Sequence, residues 1–198
     1  MYKALNYWVF GGFAGEKTPY EFIDWAAKKG LDGVELTVGD VIPANADEIL
    51  LLENKEKIQE FLDKGGIIIS FTQNYLEWLP GNSLYQASST PIKDRSVVSC
   101  AHPITEGVKE YDMNYRCGVK GFFNRGFFKA PVGATVILKD SDGECVAYID
   151  SATTKGVILS TAGADLVGFG LAESSTAKRL GVNLMLWLEK TMKEREAA

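Results

Sequence analysis

The stretch Asn54 to Tyr75, NKEKIQEFLDKGGIIISFTQNY, constrains the fold more than any other part of the chain. Ile58, Phe61 and Leu62 recur at i, i+3 and i+4, while Lys55, Glu56, Gln59, Glu60 and Asp63 take the other side, so the spacing predicts an amphipathic helix. Gly65 suits the left-handed conformation that ends a helix, and Gly66 a tight turn into Ile67-Ile68-Ile69-Ser70-Phe71. A strand that apolar has no wet face and is expected in the middle of a parallel sheet, with helices on both sides. Ligands of such sheets bind beyond the carboxyl ends of the strands, which here means Thr72, Gln73, Asn74 and Tyr75.

The preceding residues extend the pattern. Lys3 to Phe10 is aromatic and β-branched and runs into Gly11-Gly12, as a first strand and its loop would. Thr18 as N-cap, Pro19 at the first helical position and Glu21 three residues after the cap form a capping box. The helix it opens has Tyr20, Ile23, Ala26 and Ala27 as its stripe, with Phe22 and Trp25 alongside, and stops at Gly30. Gly33 to Val38 is a second strand, which makes a βαβ unit, and Ile49-Leu50-Leu51-Leu52 reads as a third, buried one.

Beyond Tyr75 the signals are less regular. Leu76 to Ser96 lacks periodicity and reads as a long loop. Val97 to Cys100 reads as a short strand before His102-Pro103, and Phe122, Phe123, Phe127 and Phe128 around Asn124-Arg125-Gly126 suggest a hairpin or an aromatic surface patch. Thr135 to Leu138 and Val146 to Asp150 flank Asp142-Gly143, a strong hairpin signal. Val157 to Ser160 is a further strand. A final helix capped at Ser175 or Thr176 is expected to cover the sheet with Leu180, Leu184, Leu186, Trp187 and Leu188. The sum is an α/β fold, an open and mostly parallel three-layer sheet with an antiparallel hairpin extension, in one domain spanning residues 1–198.

Charge and cysteine content narrow the functions. With 21 Lys and Arg against 26 Asp and Glu, the net charge is −5, and no basic run points to nucleic acid or an anionic membrane. The opening MYKALNYWVF is too short for a signal peptide and no stretch is apolar enough to span a bilayer, so a soluble cytoplasmic protein is expected. Cys100, Cys117 and Cys145 have no CxxC spacing, and neither a disulfide framework nor a zinc knuckle is signalled.

GGIIISF, HPITEG, the Asp-Gly hairpin, KGVILSTAG and the closing LMLWL helix together resemble the class I glutamine amidotransferase-like superfamily, particularly its ThuA-like and other non-amidotransferase branches. The resemblance runs from about Asp47 to Lys193 and implies a flavodoxin-like sheet whose strand at Ile67 to Phe71 leads into a sharp turn. In the true amidotransferases that turn carries a nucleophilic cysteine between glycines, with a His-x-Glu pair later in the chain. Here the turn is Phe71-Thr72-Gln73-Asn74-Tyr75, and the single histidine, His102, precedes Pro103-Ile104-Thr105. A thiolate nucleophile needs a nearby base, so glutamine hydrolysis is not expected. The opening LNYWVFGGF and GLDGVELTVGD resemble instead the first βαβ of the xylose-isomerase-like sugar phosphate isomerases and epimerases, which are metal-dependent TIM barrels. Such a barrel typically needs about 250 residues. The sequence after Pro43 does not supply the further βα repeats, so the opening is read as one unit completing an open sheet.

Several residues are candidates for a site. Gln73, Asn74, Tyr75, Glu77 and Trp78 suit a small polar ligand of carbohydrate type, because rings stack on apolar sugar faces while amides bond hydroxyls. Gly11 and Gly12 would allow close approach of a phosphate. Glu35 matches the acidic residue near the metal in the isomerase-like opening, although a divalent ion needs further carboxylates and histidines. Cys100 and His102 could pair as thiolate and base of a hydrolase. The favoured reading is a catalytically degenerate amidotransferase-like domain that binds a small molecule or acts through homo-oligomer contacts, with no cofactor. A metal-dependent sugar phosphate isomerase and a Cys/His hydrolase are the alternatives.

Overall fold

The computed structural model describes residues 4–6, 19–31, 33–35, 46–71, 73–116, 118–120, 124–163, 166–167 and 175–197. They belong to two compact units, Met1–Leu51 and Leu52–Ala198.

In the first unit β1 (Ala4–Asn6) and β2 (Gly33–Glu35) pair in parallel, Ala4 opposite Gly33 and Asn6 opposite Glu35. The helix α1 (Pro19–Lys28) connects them, so the expected βαβ unit is present. Thr18, the expected cap, lies outside the described residues, as do Gly11 and Gly12. The buried stripe differs from the expected one. Phe22 and Ala26 are buried, Ile23 and Ala27 are exposed, and Phe22 stacks on Trp25 at 6.1 Å. A helix buries one side, and here the i, i+4 pair of Phe22 and Ala26 takes it.

Ile49 to Leu52 is not a strand. It lies in α2 (Ala46–Glu53), at the junction of the units, with Ile49, Leu50 and Leu52 exposed. Four consecutive apolar residues define no period, and Ala, Glu and Leu all favour helix, so propensity decides what periodicity leaves open.

The second unit begins with α3 (Lys55–Asp63), whose Leu62 is fully buried while Phe61 is exposed. Gly65, at φ 92°, ends it with a Schellman arrangement in which its N–H donates to Leu62 O at 2.9 Å and that of Gly66 to Phe61 O at 2.9 Å. There follow β3 (Ile67–Ser70), β4 (Gln86–Ala87), β5 (Val97–Ser99), α4 (Glu110–Asn114), β6 (Tyr115–Arg116), β7 (Val119–Lys120) and β8 (Gly126–Phe127). The unit closes with β9 (Thr135–Asp140), β10 (Cys145–Asp150), β11 (Val157–Thr161) and α5 (Arg179–Glu196). Five strands form one mixed sheet in the order β3-β11-β10-β9-β5, and only β3 and β11 run parallel.

Two expectations change here. The sheet of this unit is mostly antiparallel rather than mostly parallel, and among the described residues β3 is its edge strand rather than its middle. An apolar run reports that both faces of a strand are covered. It does not report how many neighbours the strand has within the sheet, which is why β3 misleads. Among the strands whose burial is described, β10 and β11 are buried at every position.

The hairpin of β9 and β10 forms as expected. Asp140, itself buried, accepts from the N–H groups of Asp142 at 2.9 Å and Glu144 at 2.8 Å. The aromatic run is not a surface patch in its described part: Phe128 is fully buried, bridges to Cys145 and meets Tyr148 edge-on at 5.4 Å, whereas Phe122 and Phe123 lie outside the described residues. Ser175 caps the last helical segment by accepting from Ala177 N–H at 3.3 Å. Leu180 and Leu184 then bring α5 into the core cluster that also holds Leu138, Ala147 and Leu159, but Leu186 faces solvent. Each fully buried side chain of this kind contributes about 1.5–3 kcal/mol. Among the described residues no helix is long and apolar enough to cross a membrane.

Candidate functional site

The parallel pair defines the place to look. Both β3 and β11 point their carboxyl ends the same way, and the chain leaves them through Gln73-Asn74-Tyr75 and through Ala162-Gly163. Thr72 lies outside the described residues.

Asn74 is fully buried and acts as a clamp. Its Oδ1 accepts from Ser70 Oγ at 3.4 Å, its Nδ2 donates to Ser160 Oγ at 3.3 Å, and its carbonyl accepts from Tyr85 N–H at 2.8 Å. The end of β3, the end of β11 and the loop at Tyr85 are thereby held together. Below this clamp Tyr148 bonds Ser160 and donates to Asn82 Oδ1 at 2.9 Å, and burial pushes the Tyr148 phenol well above its ordinary value.

Asn74 thus aims its neighbours outward. The half-buried Gln73 accepts from Tyr75 OH at 3.3 Å and bonds the side chain of Tyr85. Tyr75 is half exposed and meets Tyr85 edge to face at 5.3 Å. Tyr85 OH donates to the Arg125 carbonyl at 2.6 Å, and burial, the largest influence, raises its pKa. Gly163 sits at φ 84°, where a Cβ would come within 2.9 Å of Gln73 Cγ and 3.4 Å of Arg125 Cδ. Only glycine fits both the backbone conformation and the space. The result is a wall of two tyrosines, an amide that bridges them and an arginine stem, gathered at one end of two strands.

Of the residues expected from sequence, Gln73 and Tyr75 line this place and Asn74 supports it from below. Glu77 is exposed, and Trp78, only 4% exposed, belongs to the core with its Nε1 unpartnered among the described residues. Sequence reasoning missed Tyr85, Arg125, Ser160 and Gly163. The one available signal for Ser160 and Gly163 was the polar ending Ser160-Thr161-Ala162-Gly163 of an apolar strand.

Cys100 and His102 come after β5, at the opposite edge of the sheet from β3. His102 Nδ1 accepts from Ile104 N–H at 3.2 Å and caps the short 3-10 turn Pro103–Thr105, while its ring meets Trp187 edge-on at 6.1 Å. No hydrogen bond joins the imidazole to the Cys100 thiol. Burial lowers the His102 pKa below its ordinary 6.5. As pH falls the unfolded chain therefore takes up the proton first, and stability declines as pH drops below 6.5. Because the chain has one histidine, an NMR titration of its imidazole is unambiguous, and a midpoint below 6.5 is expected. A midpoint at or above that value would contradict the packing against Trp187.

Glu35 lies in β2 of the first unit, and among the described residues no group of three or more His, Cys, Asp or Glu side chains could hold a metal ion. A groove of about 1060 Å³ opens at the amino end of β3 and β11, lined by Phe61, Ile67, Ile69, Trp187, Leu188 and Met192 among others. Its rim cations are largely engaged. Lys64 pairs with Glu60 at 2.6 Å, and Arg195 donates to the carbonyls of Gly65 and Lys155. Polar recognition is better provided at the carboxyl end.

No protein-family model matches the chain, and neither a curated protein nor a solved structure matches it.

Proposed function

We propose that this chain is a ligand-binding domain of glutamine amidotransferase-like descent, flavodoxin-like in its layering and without glutamine hydrolysis. Its ligand is a small hydroxylated molecule of the sugar or polyol class. The observation that carries the proposal is the convergence of Gln73, Tyr75, Tyr85 and Gly163 at the carboxyl ends of β3 and β11. A half-exposed tyrosine offers a face to the apolar side of a sugar ring, and the Gln73 amide, already polarised by two phenols, offers both a donor and an acceptor to hydroxyls. The turn after β3, Phe71-Thr72-Gln73-Asn74-Tyr75, carries no cysteine.

Differential scanning fluorimetry with glucose, sorbitol and gluconate tests this directly. A ligand present at a hundred times its Kd stabilises by about 2.7 kcal/mol. In a chain of 198 residues this raises Tm by roughly 5–10 °C. The rise is expected to be saturable, to disappear in Gln73→Ala and to persist in Cys100→Ala. A panel that leaves Tm unchanged, or a Gln73→Ala variant that responds like the wild type, would overturn the reading.

A further inference from the structure

Two guanidinium groups stand beside the tyrosine wall, and they are used differently. Arg95 is spent on structure, donating to the carbonyls of Thr90 at 2.6 Å, Ser88 at 3.0 Å and Asn124 at 3.2 Å. It is a fixed positive charge in the floor of the loop. The exposed Arg125 has its stem against Gly163 and its carbonyl bonded by Tyr85, yet its guanidinium has no hydrogen bond or ion pair among the described residues. Among the described residues, Tyr85 lies in the field of both cations and of Tyr75, and no described carboxylate acts on it. In a chain of net charge −5 this is a local reversal of sign. It coincides with the place where an amide and two phenols converge.

We infer that the ligand of this site carries an oxyanion, a carboxylate or a phosphate, that pairs with Arg125 while its hydroxylated body lies against Tyr75, Tyr85 and Gln73. This rests on the proposed binding function and narrows it to acidic members of the sugar and polyol class. The physical grounds are three. A guanidinium fork matches a two-oxygen anion and gains two charge-assisted bonds where a neutral hydroxyl gains one weaker bond. The Arg95 charge, held by carbonyls, adds attraction without competing for the ligand. The Arg125 backbone is anchored on both sides: the preceding carbonyl, of Asn124, accepts from Arg95, Arg125 O accepts from Ser88 N–H at 3.2 Å as well as from Tyr85, and the next residue, Gly126, pairs with Ala87. Its side chain therefore starts from a fixed base, and part of the ordering cost of binding is already met.

Isothermal titration calorimetry of the full chain with D-glucose, D-gluconate and D-glucose 6-phosphate, at low and high salt, separates the possibilities. At least one of the two anions is expected to bind about ten- to a hundredfold more tightly than glucose, as one charged hydrogen-bonded contact provides. Arg125→Ala is expected to erase that preference, and Arg125→Lys to keep part of it. High salt is expected to weaken the anion and leave glucose unaffected. Which anion is preferred distinguishes a carboxylate from a phosphate. If glucose binds as tightly as both anions and Arg125→Ala changes nothing, the oxyanion inference is overturned and the neutral-sugar reading survives. If none of the three binds, both fall.

Discussion

Replacing Gly156 with alanine is expected to destabilise the second unit by about 3 kcal/mol, at the upper end of what overpacking usually costs. Gly156 enters β11 where the chain passes the end of α3. A Cβ there would stand 2.8 Å from both Leu62 Cδ2 and Leu62 O, and closer still to Gly66 O. A side-chain atom can swing away, but two carbonyl oxygens cannot. The Gly66 carbonyl is also committed, since it accepts from Val157 N–H at 3.0 Å in the first link of the parallel pair. Relief would require β3 and β11 to part at their amino ends, and their alignment sets where Gln73 and Gly163 emerge. Urea denaturation measures the loss, and thermal unfolding should show it as a fall in Tm of roughly 6–12 °C. Leu62→Ala removes Cδ2 but leaves both oxygens, so the double variant is expected to show no rescue. A Gly156→Ala midpoint within about 1 kcal/mol of wild type would mean that this approach is not tight, since the usual overpacking range starts there.

The features legible in the sequence are those decided by a few consecutive residues. Gly65-Gly66 after Leu62 gives a Schellman stop, Asp140 to Gly143 gives a hairpin, and Pro19 to Lys28 gives a helix, because each is fixed by local hydrogen bonds. The position of β3 in its sheet is not local. It depends on which strands return to pair with Ile67 to Ser70, and one does so about ninety residues later, at Val157 to Ser160. The same limit divides the site. Gln73 and Tyr75 are legible because they stand just past the carboxyl end of an apolar strand, whereas Tyr85, Arg125 and Gly163 join them only through tertiary pairing. Amphipathic side chains add a second limit. Trp78 has the composition of a sugar platform and the position of a core residue, and only its neighbours decide which. Asn74 reverses the usual expectation, being a polar loop residue that the fold buries completely.

That reversal gives the second large effect. Asn74→Ala is expected to cost about 3 kcal/mol, because it removes two buried side-chain hydrogen bonds and strips Ser70 and Ser160 of a partner inside the protein. The loss should extend to ligand binding, since Gln73 and Tyr75 flank the clamp and their placement depends on it. Asn74→Asp makes the argument sharper. An aspartate of the same shape can accept from both serine hydroxyls, but it places a charge at a position that is 0% exposed. Its folded-state pKa is therefore expected above the unfolded value of about 3.9. A carboxyl raised in this way penalises the fold fully above its folded-state pKa, and the penalty vanishes as pH falls to the unfolded value. Asn74→Asp should thus be clearly less stable than wild type at pH 7 and approach it near pH 4, while the deficit of Asn74→Ala stays constant over the same range. Urea midpoints of the three proteins at both pH values decide the matter. If Asn74→Asp is as stable as wild type at neutral pH, Asn74 is not the buried clamp that joins the two strand ends, and the site loses its support.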